Sequence, residues 1–146
     1  MVIGNITRHV GIVVHDLDKT RDFWINNLGF KLHVEALEES PFIDELLAIK
    51  DPDLTTVKLI DSKGFILELL KFENYEVENS WSGDLKTTGL THIALTVDNL
   101  DELTEKMSNL GYKAISEVKI SPNKKVKVVF VRGPEGIMLE LVEEIF

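Results

Sequence analysis

The sequence predicts an α+β fold built from two tandem βαβββ modules. Two observations predict it: four sequence blocks recur in the same order, and each copy runs through strand and helix periodicities in the same succession. His9-Val10-Gly11-Ile12-Val13-Val14 returns as His92-Ile93-Ala94-Leu95-Thr96-Val97, and Leu17-Asp18 returns as Leu100-Asp101. Leu28-Gly29-Phe30 matches Leu110-Gly111-Tyr112, and Gly64-Phe65-Ile66-Leu67-Glu68-Leu69 matches Gly136-Ile137-Met138-Leu139-Glu140-Leu141. The spacing between copies falls from 83 (His9 to His92) to 82 (Leu28 to Leu110) and 72 (Gly64 to Gly136), so the first copy is the longer one.

The elements follow in chain order. His9–Val14 and His92–Val97 are short β-branched runs and read as first strands. Asp16 or Asp18 caps the helix of the first module, which places Leu17, Phe23, Trp24 and Leu28 before a closing Gly29. Asn99, with Glu102 three residues on, caps the helix of the second. There Leu100, Leu103, Met107 and Leu110 keep helical spacing and Gly111 ends it. Three further strands complete each module, about Lys31–Leu37, Thr55–Asp61 and Phe65–Phe72, then about Lys113–Ile120, Lys125–Arg132 and Ile137–Glu143. Asp61-Ser62-Lys63-Gly64 and Gly133-Pro134-Glu135-Gly136 are turns before the last strands. The extra length of the first module holds a short helix at Pro41–Leu47. One domain over residues 1–146 is expected, with modules at about 5–73 and 89–144 and a linker at about 74–88. Trp81, the large apolar residue of that linker, is either a loop anchor or a seam contact.

Composition narrows the function. A hydrophobic share of 44% against 28% charge suits a packed globular core. No apolar run is long enough for a membrane span and no signal-peptide pattern opens the chain, so cytoplasmic residence is expected. A formal charge of -9 repels phosphate backbones, which disfavours nucleic acid as a partner. With no cysteine there are no disulfides, thiolate metal sites or cysteine nucleophiles, so any metal ligands are nitrogen and oxygen.

The repeat singles out four such ligands. Side chains alternate across a strand, so Leu67 and Leu69 share one face and Glu68 lies on the other, beside Ile66 and Leu70. Leu139 and Leu141 likewise leave Glu140 with Met138 and Val142, while His9 and His92 share faces with Gly11 and Ala94. A lone strand histidine is ordinarily a core or surface residue, and a strand glutamate ordinarily faces solvent. The recurrence of both types at matching places changes that reading. Carboxylates amid apolar residues are costly to bury unless paired or coordinated. His9, Glu68, His92 and Glu140 together suit one divalent ion, with water or substrate in the remaining positions. His15 and His33 have no counterpart and read as surface residues.

With these blocks the chain resembles the vicinal oxygen chelate superfamily, which includes glyoxalase I, methylmalonyl-CoA epimerase, extradiol dioxygenases and fosfomycin and bleomycin resistance proteins. The resemblance runs from His9 to Glu143, and its most specific pieces are His9–Val14, Thr91–Asp98 and Gly133–Leu141. It implies paired βαβββ units curling into an open, barrel-like mixed sheet around a metal. The ligand order His, Glu, His, Glu looks like bacterial glyoxalase I. Nickel, cobalt, zinc, manganese and iron all remain open as the ion.

The resemblance also implies a metal-dependent lyase or isomerase of lactoylglutathione lyase type, acting as a homodimer on a small molecule. The implied chemistry is proton transfer beside a carbonyl, with the enediolate charge stabilised by the ion. Glu140 or Glu68 acts as general base, and Arg8, next to His9, is a candidate for a substrate carboxylate. The rival readings are a methylmalonyl-CoA epimerase-like racemase, in which Glu38, Glu39 or Glu45 supplies an additional carboxylate, and an extradiol ring-cleaving dioxygenase. A non-catalytic antibiotic-binding resistance protein is the reading from a different class.

Overall fold

The computed structural model describes residues 4–76, 81 and 83–146. The chain divides into two compact units, residues 1–79 and 80–146. Residues 77–80 and 82 of the expected linker lie outside the described residues.

The first unit runs β1 (Val10–Val13), α1 (Leu17–Leu28), β2 (Lys31–Glu38), α2 (Phe42–Leu47), β3 (Leu54–Ile60) and β4 (Ile66–Phe72). Its sheet has the order β1-β4-β3-β2, with β1 parallel to β4 and the other pairs antiparallel. The Asp16 carboxylate caps α1, accepting from the Lys19 amide at 2.9 Å, and Gly29 ends the helix at φ 72. At that left-handed turn a glycine avoids the steric cost of a Cβ. Phe23 and Trp24 turn inward from α1, and the Trp24 and Phe30 rings meet edge to face at 5.1 Å. Val57, Leu59, Leu67 and Leu69 form the sheet side of this core, each fully buried. Burial of one such side chain stabilises by about 1.5–3 kcal/mol.

The second unit runs β5 (His92–Thr96), α3 (Leu100–Asn109), β6 (Lys119–Ile120), β7 (Val126–Arg132) and β8 (Met138–Glu144). The order β5-β8-β7-β6 repeats that of the first unit, again with the first and last strands parallel. Asn99 caps α3, accepting from the Glu102 amide at 3.1 Å and donating to the Glu102 carboxylate at 3.0 Å. Leu100 and Met107 of the helix and Val131 and Leu141 of the sheet are all fully buried. Leu110 falls at the end of the helix and is 53% exposed, so it does not join that face. Neither sheet closes on itself, since β1 and β2, or β5 and β6, stand at its edges.

One expected strand is largely absent. Of Lys113–Ile120, only Lys119–Ile120 and a bridge from Ala114 to Val131 pair with the sheet. Ala114 opposes Val131 and Lys119 opposes Val128, so five steps along one chain face three along the other. The two surplus residues cannot stay in register and the segment leaves the ladder. Its counterpart β2 carries a single surplus residue, between Leu32 and Val34, and stays whole over eight residues.

Trp81 is fixed within the second unit. The Arg132 guanidinium lies 5.3 Å from its ring centroid and donates to the carbonyls of Trp81, Gly83 and Gly136 at 3.3, 2.7 and 3.0 Å. The loop-anchor reading therefore holds for this residue.

Candidate metal centre

In each unit the strand register sets the site. Val10 and Ile12 oppose Leu67 and Leu69 on the core face, so Gly11 opposes Glu68 on the open face. In the second unit Ile93 and Leu95 oppose Leu139 and Leu141, and Ala94 opposes Glu140. Each histidine sits two residues ahead of the small residue opposite its glutamate, and therefore on the same face. Gly11 and Ala94 leave space over the sheet. At Gly11 the Leu70 side chain borders that space, its Cδ1 3.3 Å from where a Cβ would stand.

The outcome is one histidine–glutamate pair per unit. His9 Nε2 lies 3.1 Å from Glu68 Oε2, and His92 Nε2 lies 3.2 Å from Glu140 Oε2. The Glu68 side chain is 13% exposed and that of Glu140 27%. Two donors each about 2.1 Å from a shared ion, at right angles, stand about 3.0 Å apart. The observed separations fit such a chelating pair. Within either unit, among the described residues, two donors converge and not three or more. Sites for such ions ordinarily use three or four protein ligands, so neither pair makes one by itself.

The surroundings of the two pairs differ. Thr91 Oγ1 is 2.8 Å from His92 Nδ1, which leaves Nε2 directed at Glu140. The residue matching Thr91 in the first unit is Arg8, which is exposed in the segment ahead of β1. Across the antiparallel ladder Glu140 faces Phe130, whose ring meets the His92 imidazole edge to face at 5.2 Å. Glu68 faces Lys58 in the same register, with Lys58 Nζ 3.9 Å from Glu68 Oε2.

Thr91, Phe130 and Lys58 were not singled out in the sequence. Lys58 had a visible signal, a lone cation between the core residues Val57 and Leu59. His15 and His33 are exposed, as expected. Of the carboxylates considered for a second catalytic role, Glu38 accepts from the Thr56 hydroxyl at 2.9 Å, and Glu39 and Glu45 are exposed.

A family profile described as the glyoxalase/bleomycin resistance protein/dioxygenase superfamily matches residues 8–130. The chain belongs to this superfamily. Among curated members it is similar to the lactoylglutathione lyase of Escherichia coli O157:H7, with 28% identity over 93% of this chain and 90% of that protein. Among superfamily structures, a glyoxalase family protein from Bacillus cereus superposes with a TM-score of 0.89 at 22% identity, covering 100% of this chain and 99% of the other. The fosfomycin resistance protein FosX from Listeria monocytogenes, solved with Mn(II) and sulfate, gives a TM-score of 0.64 at 16% identity, covering 100% of this chain and 96% of the other. The fold of the superfamily, two βαβββ units with mixed four-stranded sheets, is the fold of this chain. No helix among the described residues is long and apolar enough to cross a membrane.

Proposed function

We propose that the protein is a metal-dependent lyase or isomerase of lactoylglutathione lyase type, moving a proton at a carbon beside a carbonyl in a small-molecule substrate. The observation that carries this reading is the duplicated chelating pair, at 3.1 Å in one unit and 3.2 Å in the other. His9, Glu68, His92 and Glu140 are the ligands for one divalent ion, supplied as two pairs. A bound ion would act as a Lewis acid toward the substrate oxygens and lower the cost of charge that develops there.

The chain's own side chains supply the rest. Glu68 lies between the half-buried Ile66 and Leu70, and Glu140 between Met138 and the half-buried Val142. Apolar neighbours exclude water and strengthen electrostatic interactions at the carboxylate. Glu140 or Glu68 takes the proton from carbon and returns it to the neighbouring carbon or to the opposite face of the same one. The second outcome is that of a racemase, which the same residues serve equally. Arg8, exposed beside His9, is positioned along the chain to meet an anionic substrate group.

Metal analysis of the purified protein, followed by NMR detection of solvent deuterium entering methylglyoxal–thiol adducts and acyl-CoA compounds, tests this function. One equivalent of divalent metal and exchange into one substrate class are expected. Glu140→Gln should lower exchange about 10²–10⁴-fold, the usual contribution of a general base, with the fold retained by circular dichroism. Exchange at the wild-type rate removes Glu140 from the mechanism. Protein without metal removes the mechanism itself.

A further inference from the structure

The two glutamates occupy matching places, yet their cross-strand partners differ in charge. Glu140 faces Phe130, and Glu68 faces Lys58. A lysine opposite a glutamate is on most sheets an ordinary surface pair. Here the glutamate is 13% exposed and its Oε2 is already held by His9 at 3.1 Å. Lys58 Nζ stands at 3.9 Å, beyond hydrogen-bond reach, and makes no hydrogen bond among the described residues. Its side chain is 29% exposed, so the ammonium keeps open donors on the face that carries His9 and Glu68. On the same row of the sheet, Lys58 has Val34 on its other side. That side offers no competing carboxylate.

We propose that Lys58 is a specificity-determining residue of the site, and that its ammonium selects a substrate bearing an ionised carboxylate or comparable oxyanion next to the reacting carbon. This inference rests on the metal-centre reading above. Two neutral imidazoles and two carboxylates balance a divalent ion, and Lys58 then leaves one positive charge in excess. A partly desolvated excess charge attracts an anion and repels the metal. Phe130 gives Glu140 no such charge, so the anionic end of the substrate belongs beside Glu68.

The test uses cobalt(II)-loaded protein and three ligands of similar shape and graded charge: oxalate, oxamate and oxamide. Binding is followed calorimetrically and through the cobalt absorption bands. Wild-type protein should bind them in order of negative charge. Lys58→Met should weaken oxalate about tenfold, leave oxamide unchanged and tighten cobalt itself several-fold, as expected for one unit charge within a few ångströms at the protein surface. Lys58→Arg should behave as wild type. Oxalate affinity unchanged in Lys58→Met, with cobalt still bound, overturns the role of Lys58 alone. Failure of wild-type protein to bind cobalt overturns both this role and the metal-centre reading. Lys58→Gln gives the same comparison should the methionine variant not fold.

Discussion

The two halves of the chain follow one plan, and they diverge in opposite directions at the sheet edge and around the site. The first unit keeps a full second strand of eight residues, whereas the second keeps two. Around the glutamate the first unit places a charge, Lys58, and the second an aromatic ring, Phe130. At the helix start the second unit is the more tightly tied. Glu143 accepts from the Leu100 amide at 2.7 Å, and Lys127 reaches Asp101 at 2.9 Å and Glu143 at 3.7 Å. The position matching the Lys127–Glu143 pair in the first unit is Thr55 opposite Lys71, which offers no ion pair. The two units thus share the buried apolar row and the histidine–glutamate pair, and differ in the side chains that face that pair.

The strongest test of the shared plan is its core. Leu67→Ala and Leu139→Ala remove matching buried side chains, and each should cost about 2–5 kcal/mol in urea unfolding, as core leucines generally do. A loss well under 1 kcal/mol at either site would show that the halves are not packed alike.

The next test breaks the symmetry around the histidines. Thr91→Val deletes the hydroxyl beside His92 Nδ1 and should weaken metal binding about 10–100-fold, the usual effect of losing a partner that orients a ligand. Arg8→Met, at the matching place, should leave metal affinity within a few-fold. Equal effects from both would mean that the orienting role of Thr91 is absent.

The smallest effect concerns pH. The hydrogen bond from Lys127 to Asp101, with the charge of Glu143 adding to it, raises the Lys127 pKa above the ordinary lysine value. A raised pKa favours the charged folded form, so this contribution is complete below the ordinary lysine range and is lost as pH rises through the folded value. Lys127→Met should therefore lower the thermal midpoint slightly at neutral pH, and the deficit should close at strongly alkaline pH. A deficit that persists there would assign it to lost packing.

Most of the architecture could be read from the repeat because strand period and helix caps are local signals. Asp16, Asn99 and Gly29 each act within a few residues of themselves. The histidine–glutamate pairs were equally legible, since strand alternation puts His and Glu on one face once the β1–β4 and β5–β8 pairings exist. The missing length of β6 was not. Ala114, Val118 and Ile120 look like a strand, and only the register against β7 reveals the two surplus residues. Lys58, Phe130 and Thr91 escaped for a related reason. What a strand residue faces across the ladder is a property of the partner strand, which the local pattern does not name.

Arg132 carries a consequence for where the second copy begins. Its guanidinium holds the carbonyls of Trp81 and Gly83 and covers the indole, so those residues travel with β7 and not with the chain ahead of them. A gene cut to yield the second half alone has to fall upstream of Trp81. A cut at the repeat boundary of the sequence, near Thr91, would remove two of the three carbonyls that accept from the half-buried Arg132, and with them the indole that its guanidinium covers.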